Sequence, residues 1–106
     1  MTLKFLAAAQ QELDEAHDWY ELQTAGLGRQ LIAEVLVAAR RIMIFPASCH
    51  EVAPEIRRCL IRRFPYALIY RIAGDELLIL AMMHQHRKPR YWQECLSNTQ
   101  EPAEPH

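Results

Sequence analysis

Side chains able to do chemistry crowd the second half of the chain: Arg62 and Arg63, then His84 and His86, then Arg87 and Tyr91. Cleaving RNA without a metal requires a deprotonated ribose 2′-hydroxyl, cations around the in-line phosphorane and a proton for the leaving oxygen. Arginine suits the second role, and histidine, tyrosine, lysine or glutamate suit the others. His84 and His86 could act as base or acid near neutral pH, although a histidine at a strand end can equally be a hydrogen-bonded structural residue. The pair His84 and His86 makes no metal site by itself, since no third ligand is spaced to join it. Tyr91 and Trp92 could stack on a base of single-stranded RNA; Trp92 can also fold back over a sheet and bury its ring there.

The charge distribution supports an anionic target more than the net charge of −1 does. Residues 1–24 set Lys4 against Glu12, Asp14, Glu15, Asp18 and Glu21, whereas residues 56–92 hold Arg57, Arg58, Arg62, Arg63, Arg71, Arg87, Lys88 and Arg90 against Asp75 and Glu76. The second half is therefore expected to present a basic surface. Arg57 and Arg58 can touch phosphate there or be ordinary solvated strand residues. Cys49, Cys59 and Cys95 are odd in number and never in a CxxC pair, so they read as reduced thiols, without a disulfide framework or a zinc site. No cofactor motif is present.

These side chains need elements to position them. The 106 residues, 51% hydrophobic and 24% charged, suffice for one compact domain and leave no room for a second. That domain is expected over residues 1–96, with the polar, proline-bearing 97–106 as a disordered tail. No apolar run approaches a membrane span and no secretory leader opens the chain, so a cytoplasmic protein is expected. Thr2 to Leu6 reads as a short strand. Ala9, Leu13, Ala16 and Tyr20 then recur at helical spacing, giving an amphipathic helix from Ala7 to about Thr24 with a solvated acidic face. After Ala25-Gly26-Leu27-Gly28, the series Leu31, Val35, Ala38, Ile42 and Phe45 marks a second, broadly apolar helix that Pro46 stops. The short turn makes the pair an antiparallel helix hairpin lying on a sheet.

Residues 46–55 read as a polar loop. Strands are expected over about 56–63, 66–72 and 76–84, the first of them at the sheet edge, with Ala73-Gly74-Asp75-Glu76 as a tight turn. Pairing Ala73 with Glu76 sets Tyr66, Leu68, Tyr70 and Ile72 opposite Met83, Ala81, Ile79 and Leu77 on one face. Ala67, Ile69 and Arg71 then share the other face with Met82, Leu80 and Leu78. A short C-terminal helix after Pro89 completes an α+β fold.

Arg62-Arg63-Phe64-Pro65-Tyr66, Ile69-Tyr70-Arg71, the Gly74-Asp75 turn, Leu77-Leu78-Ile79-Leu80-Ala81 and His84-Gln85-His86-Arg87-Lys88-Pro89-Arg90-Tyr91-Trp92, taken in that order, resemble the RelE/ParE superfamily of toxins. The opening strand, the helix hairpin and Gly26-Leu27-Gly28 extend the resemblance over roughly residues 2–95. It implies a growth-inhibiting toxin of a type II toxin–antitoxin system, neutralised by a cognate antitoxin encoded beside it. The target implied by the ParE branch is DNA gyrase, and that implied by the RelE branch is messenger RNA on the ribosome, because one fold serves both. The ribonuclease branch would carry an arginine near the start of the middle strand, a basic residue at the end of the last strand and a Tyr or His near the C-terminus. The first position falls near Ala67, which cannot do the work. Arg62 and Arg63 stand close enough to substitute, and His84, Arg87 and Tyr91 occupy the terminal segment; these five form the candidate catalytic set, expected on one basic surface. A noncatalytic module that only binds its antitoxin is the reading from a different class. In either case the antitoxin is expected to add apolar cover for Ile69, Leu78, Leu80 and Met82 on the sheet face away from the helices.

Overall fold

A computed structural model describes residues 1–85 of the chain. Five strands and two helices run in the order β1 (Thr2–Phe5), α1 (Ala7–Gln23), α2 (Leu27–Ile44), β2 (His50–Ala53), β3 (Ile56–Leu60), β4 (Tyr66–Ala73) and β5 (Glu76–His84). They make one sheet ordered β1-β5-β4-β3-β2, with β1 parallel to β5 and every other pair antiparallel. The α+β class, the opening strand and the helix hairpin agree with the expectations above. The anticipated C-terminal helix and the tail from 97 onward lie outside the described residues.

The helix hairpin forms for reasons visible in its residues. Ala9, Leu13 and Ala16 of α1 and Leu31, Val35, Ala38, Ala39 and Ile42 of α2 are buried at three- and four-residue spacing, so each helix turns one apolar stripe to a shared core. That core continues into Leu68 and Tyr70 of β4 and Leu77, Ile79 and Met82 of β5. Gly26 adopts a left-handed conformation with φ 87°, which lets the chain reverse within Thr24-Ala25-Gly26. Gly28 answers a different need. A Cβ there would lie 2.6 Å from the backbone carbonyl oxygen of His17 and 2.6 Å from its ring Cδ2, so only glycine lets the helices cross this closely. The helical stripe ends before Phe45, which is 62% exposed; Pro46 follows, and the Ser48 hydroxyl donates to the Phe45 carbonyl at 2.8 Å.

The start of α2 corrects the reading of the α1 acidic face as merely solvated. No side chain caps α2 from its own N-cap position. Instead the Glu21 carboxylate, at the end of α1, accepts from the backbone N–H groups of Gly26 (3.1 Å), Gly28 (2.9 Å) and Arg29 (3.4 Å). These are the orphan donors of the helix start, and a negative charge among them is favoured by the helix dipole. The N–H of Gly26, followed by those of Arg29 and Gly28, accordingly pulls the Glu21 carboxyl below its ordinary range, against a smaller opposing effect of burial.

Two features of the sheet differ from expectation. The segment read as loop contains β2, which pairs with β3 through His50↔Arg58 and Glu51↔Arg57, so β2 and not β3 is the edge. Its four residues carry little strand propensity, and its turn, Ala53-Pro54-Glu55-Ile56, has no glycine; Glu55 takes the left-handed conformation itself, with φ 64°. The Glu51 carboxylate holds that turn by accepting from the Glu55 N–H at 3.1 Å. In contrast, the β4–β5 turn follows the expected chemistry, with Gly74 at φ 60° in the first central position and Ala73 paired to Glu76.

The expected β4–β5 pairing holds only from that turn to Tyr70↔Ile79. The next pair is Ile69↔Ala81, leaving Leu80 as an extra residue in a bulge. Beyond it the phase inverts: Met82 joins the helix-side core, while Ala81 and Met83 face the other way with Ile69 and Leu80. The assignments of Met82 to the back face and of Ala81 and Met83 to the front are therefore corrected. Ile69, Leu80, Ala81 and Met83 are buried on that back face, together with partly buried Leu6, Val52, Ala53, Ile56 and Leu78, so Ile69 and Leu80 do not stand open to a partner. Past Ile79, whose carbonyl accepts from Leu6 N–H, β5 has lost β1 as a neighbour, and the Glu12 carboxylate of α1 accepts from the Met82 N–H at 2.9 Å. A helix side chain thus satisfies a backbone donor that no strand reaches.

Candidate functional surface at one end of the sheet

The pairs Leu60↔Ala67 and Tyr66↔His84 bring the end of β3, the start of β4 and the end of β5 together at one end of the sheet. Arg62, Arg63 and His84 therefore share that end. Arg87 and Tyr91 lie outside the described residues, as do His86 and Trp92.

Arg62 and Arg63 sit in the β3–β4 connection, which is tightly bonded for its length. The Ile61 N–H donates to the Tyr66 carbonyl (2.9 Å), Tyr66 N–H to the Phe64 carbonyl (2.8 Å) and Gln85 N–H to the Pro65 carbonyl (2.8 Å). Phe64 turns inward to the core, so its neighbours turn outward. Arg62 is exposed and makes no hydrogen bond or ion pair among the described residues. Arg63 has φ 73° and reaches back to α2, donating to Gln30 Oε1 at 2.7 Å and approaching Glu34 Oε2 at 3.6 Å. Gln30 and Glu34 are four apart on one helix face, so a single guanidinium meets both. The position holds Arg63 against the helix hairpin.

His84 is half-buried, its ring edge-on to Tyr66 with centroids 5.0 Å apart. Tyr66 begins an aromatic series that the sequence reading missed. Tyr20 lies 6.5 Å from Tyr66 and 5.1 Å from Phe64, and Trp19 lies 4.9 Å from Tyr20, every pair near a T-shaped arrangement. Each edge-to-face pair contributes about 0.5–1.5 kcal/mol beyond area burial. The series ties the last turns of α1 to the strand ends and finishes at Trp19, which is 56% exposed. Burial raises the Tyr20 phenol above its ordinary pKa, so it stays neutral.

Arg57 and Arg58 prove to be structural donors. Arg58 donates to Gln85 Oε1 at 2.6 Å, fixing the residue after β5 that Pro65 already holds. Arg57 donates to the carbonyls of Cys49 (2.7 Å) and Ala47 (3.4 Å) in the segment between α2 and β2. There an open pocket of about 330 Å³ is lined by Pro46, Ala47, Glu51, Glu55, Arg57, Tyr70 and Ile72. Tyr70 is buried and donates to the Pro46 carbonyl at 2.9 Å, and its phenol is pushed up in pKa chiefly by that burial. Among the described residues no three His, Cys, Asp or Glu side chains gather to hold a metal ion, and no helix is long and apolar enough to cross a membrane.

The site end therefore offers an exposed arginine, an arginine tethered to α2, a histidine packed on a tyrosine and an exposed tryptophan. Such a surface is suited to engaging a large partner through cation and aromatic contacts. The sequence profile of a family described as the ParE toxin of type II toxin–antitoxin systems, parDE, matches residues 3–89. No curated protein sequence matches the chain significantly. The chain superposes on a solved structure described as the chromosomal ParDE TA system from P. aeruginosa with a TM-score of 0.68 and 20% identity, covering 79% of this chain and 95% of that one. At that identity the likeness is one of fold, and it is the fold described above. With the profile extending from β1 through the last strand, the chain belongs to the ParE toxin family of type II toxin–antitoxin systems.

Proposed function

We propose that this chain inhibits growth by acting on DNA gyrase and is neutralised by a cognate antitoxin encoded beside it. The family match over residues 3–89 carries the reading. The site chemistry supports gyrase over messenger RNA. Ala67 stands where the ribonuclease branch would carry an arginine, and Arg63 is engaged by Gln30 and Glu34. A phosphorane needs converging cations beside an acid–base pair, and among the described residues Arg62 is the only member of the candidate arginine pair not tied to α2. Binding through an exposed end of the sheet requires no such convergence.

Antitoxin docking belongs on the helices in this reading. With Ile69 and Leu80 buried, the larger open apolar row is the outer side of α2 and its end, where Leu36, Val37, Ile44 and Phe45 are all exposed. Arg29 and Arg40 flank it, so an antitoxin segment alternating apolar and acidic side chains is complementary. Inducible expression in a sensitive host, with and without the neighbouring gene, tests the function. Blocked replication with a DNA-damage response and inhibition of purified gyrase is expected, relieved by the neighbour. Cleaved messages with untouched gyrase would replace the reading with the ribonuclease one, and growth unaffected by either protein would leave only an antitoxin-binding module.

A further inference from the structure

The sequence places Cys49 and Cys59 ten positions apart, and the fold brings them together. The β2–β3 ladder pairs His50 with Arg58 and Glu51 with Arg57, so one step outward sets Cys49 opposite Cys59. Directly opposed residues of an antiparallel pair have Cα atoms about 4.5–5.5 Å apart, inside the roughly 4.4–6.8 Å that a disulfide spans. Cys59 is buried in the helix-side core and Cys49 packs against that same core, so both side chains leave the same face of the β2–β3 pair. We infer that Cys49 and Cys59 are a redox-modification site, a cross-strand dithiol that hydrogen peroxide or a low-molecular-weight disulfide closes into an intramolecular disulfide pinning the edge strand β2 to β3.

The two cysteines are built for unequal roles. Cys49 is half-buried at the start of β2, beside the Ser48 hydroxyl at 3.9 Å, and meets the oxidant first. Cys59 is 1% exposed and receives a hydrogen bond from Arg41 Nη2 at 3.3 Å. Burial pushes the Cys59 thiol up in pKa while the Arg41 guanidinium opposes it, so Cys59 is protected from direct oxidation yet has a cation to steady its thiolate when it attacks. Around the pair stand Arg41 from α2, Arg57 from β3 and Tyr70 from β4, the first two permanently charged. With peroxide, the Cys49 thiolate attacks one oxygen, the O–O bond breaks and hydroxide leaves, taking the proton that Cys49 gave up, so that a sulfenic acid and water form. The Cys59 thiolate then attacks the Cys49 sulfur, the S–O bond breaks and hydroxide leaves, taking the proton that Cys59 gave up. Two thiols and one hydrogen peroxide yield one disulfide and two waters.

Folded full-length protein treated with hydrogen peroxide, and separately with oxidised glutathione, then digested without reductant and mapped by mass spectrometry, tests the site. The expected product is a Cys49–Cys59 crosslinked peptide, lighter by two hydrogens, reversed by dithiothreitol and accompanied by a higher thermal unfolding temperature than the reduced protein shows. Cys49→Ser should abolish the crosslink. Cys59→Ser should leave Cys49 trapped as its glutathione adduct, and Arg41→Gln should slow closure at neutral pH while high pH restores its rate. Should Cys59→Ser fail to fold, the wild-type map decides alone. A wild-type adduct that stays on Cys49, a crosslink from Cys49 to Cys95, or oxidation that leaves both thiols free overturns the inference.

Discussion

Replacing Gly28 with alanine adds one methyl group at the crossing of α1 and α2. Its Cβ would sit 2.6 Å from the His17 carbonyl oxygen, 2.6 Å from His17 Cδ2 and 2.8 Å from Glu21 Cγ. The side-chain atoms can move, but the carbonyl is part of the α1 backbone and the whole hairpin must open to accommodate the methyl. Overpacking of this kind costs roughly 1–3 kcal/mol, and the backbone contact puts it toward the upper end. Alanine's better helix propensity returns at most about 1 kcal/mol. The net loss is about 1–2 kcal/mol, or roughly 5–15 °C in Tm for a domain of this size. Opening the hairpin would also lengthen the 2.9 Å bond from Gly28 N–H to Glu21, so the capping of α2 weakens with it. Thermal and urea unfolding followed by circular dichroism would measure the loss. In a Gly28→Ala, His17→Ala double variant the ring contact is gone while the carbonyl contact stays, so only part of the stability should return. A Gly28→Ala protein as stable as the parent would refute the close-crossing argument, and full rescue by His17→Ala would show that the ring, not the backbone, sets the limit.

Glu21→Gln should lower stability at neutral pH and lose its effect in acid. The folded-state pKa of Glu21 lies below its ordinary 4.5, so its contribution is fully present above that value and disappears as pH falls through the folded one; denaturant melts of both proteins from neutral to acid pH check this, and a gap that persists in strong acid contradicts it. Arg63→Ala and Arg63→Gly both remove an exposed ion pair contributing about 0–1 kcal/mol, yet at φ 73° glycine avoids left-handed strain of about 1–2 kcal/mol, so the glycine variant should melt at the higher temperature. Tyr70→Phe should cost about 1–2 kcal/mol in the same melts, because it leaves the Pro46 carbonyl without its 2.9 Å donor. If the charged end of the sheet engages the target, Arg62→Ala and Arg87→Ala should each reduce growth inhibition with Tm unchanged; full toxicity in both removes these arginines from the site.

Long-period features were legible in the sequence. The apolar stripes of α1 and α2 repeat over about three turns each, and Gly74-Asp75 between two β-rich runs leaves little choice of turn. The hidden features depend on single residues meeting at a distance. Glu12 finds Met82, seventy positions away, and Arg63 finds Gln30, with no local pattern to announce either. β2 was invisible because His50-Glu51-Val52-Ala53 becomes a strand only when β3 supplies the partner. At the candidate site the strand ends converged as their order implied, but the acceptors on α2 that occupy Arg63 and the Trp19–Tyr20 extension came from helix residues read as structural. A carboxylate five residues before a Gly-x-Gly turn, as Glu21 is, was the one local signal that could have been taken.

The bulge at Leu80 works as a parity device. Side chains along a strand alternate between two sides, so one supernumerary residue inverts the side on which everything after it emerges. Without the bulge, a regular strand of the same sequence would send the sixth and eighth residues from Leu77, Met82 and His84, to the back of the sheet, and His84 would end far from Tyr66 and Tyr20. Deleting Leu80 would therefore remove the bulge and leave Met82 and His84 on the sides they now occupy, whereas straightening the strand with Leu80 kept would send both to the back. The bulge, beside the Met82 N–H that Glu12 holds, thus decides on which side of the sheet His84 emerges.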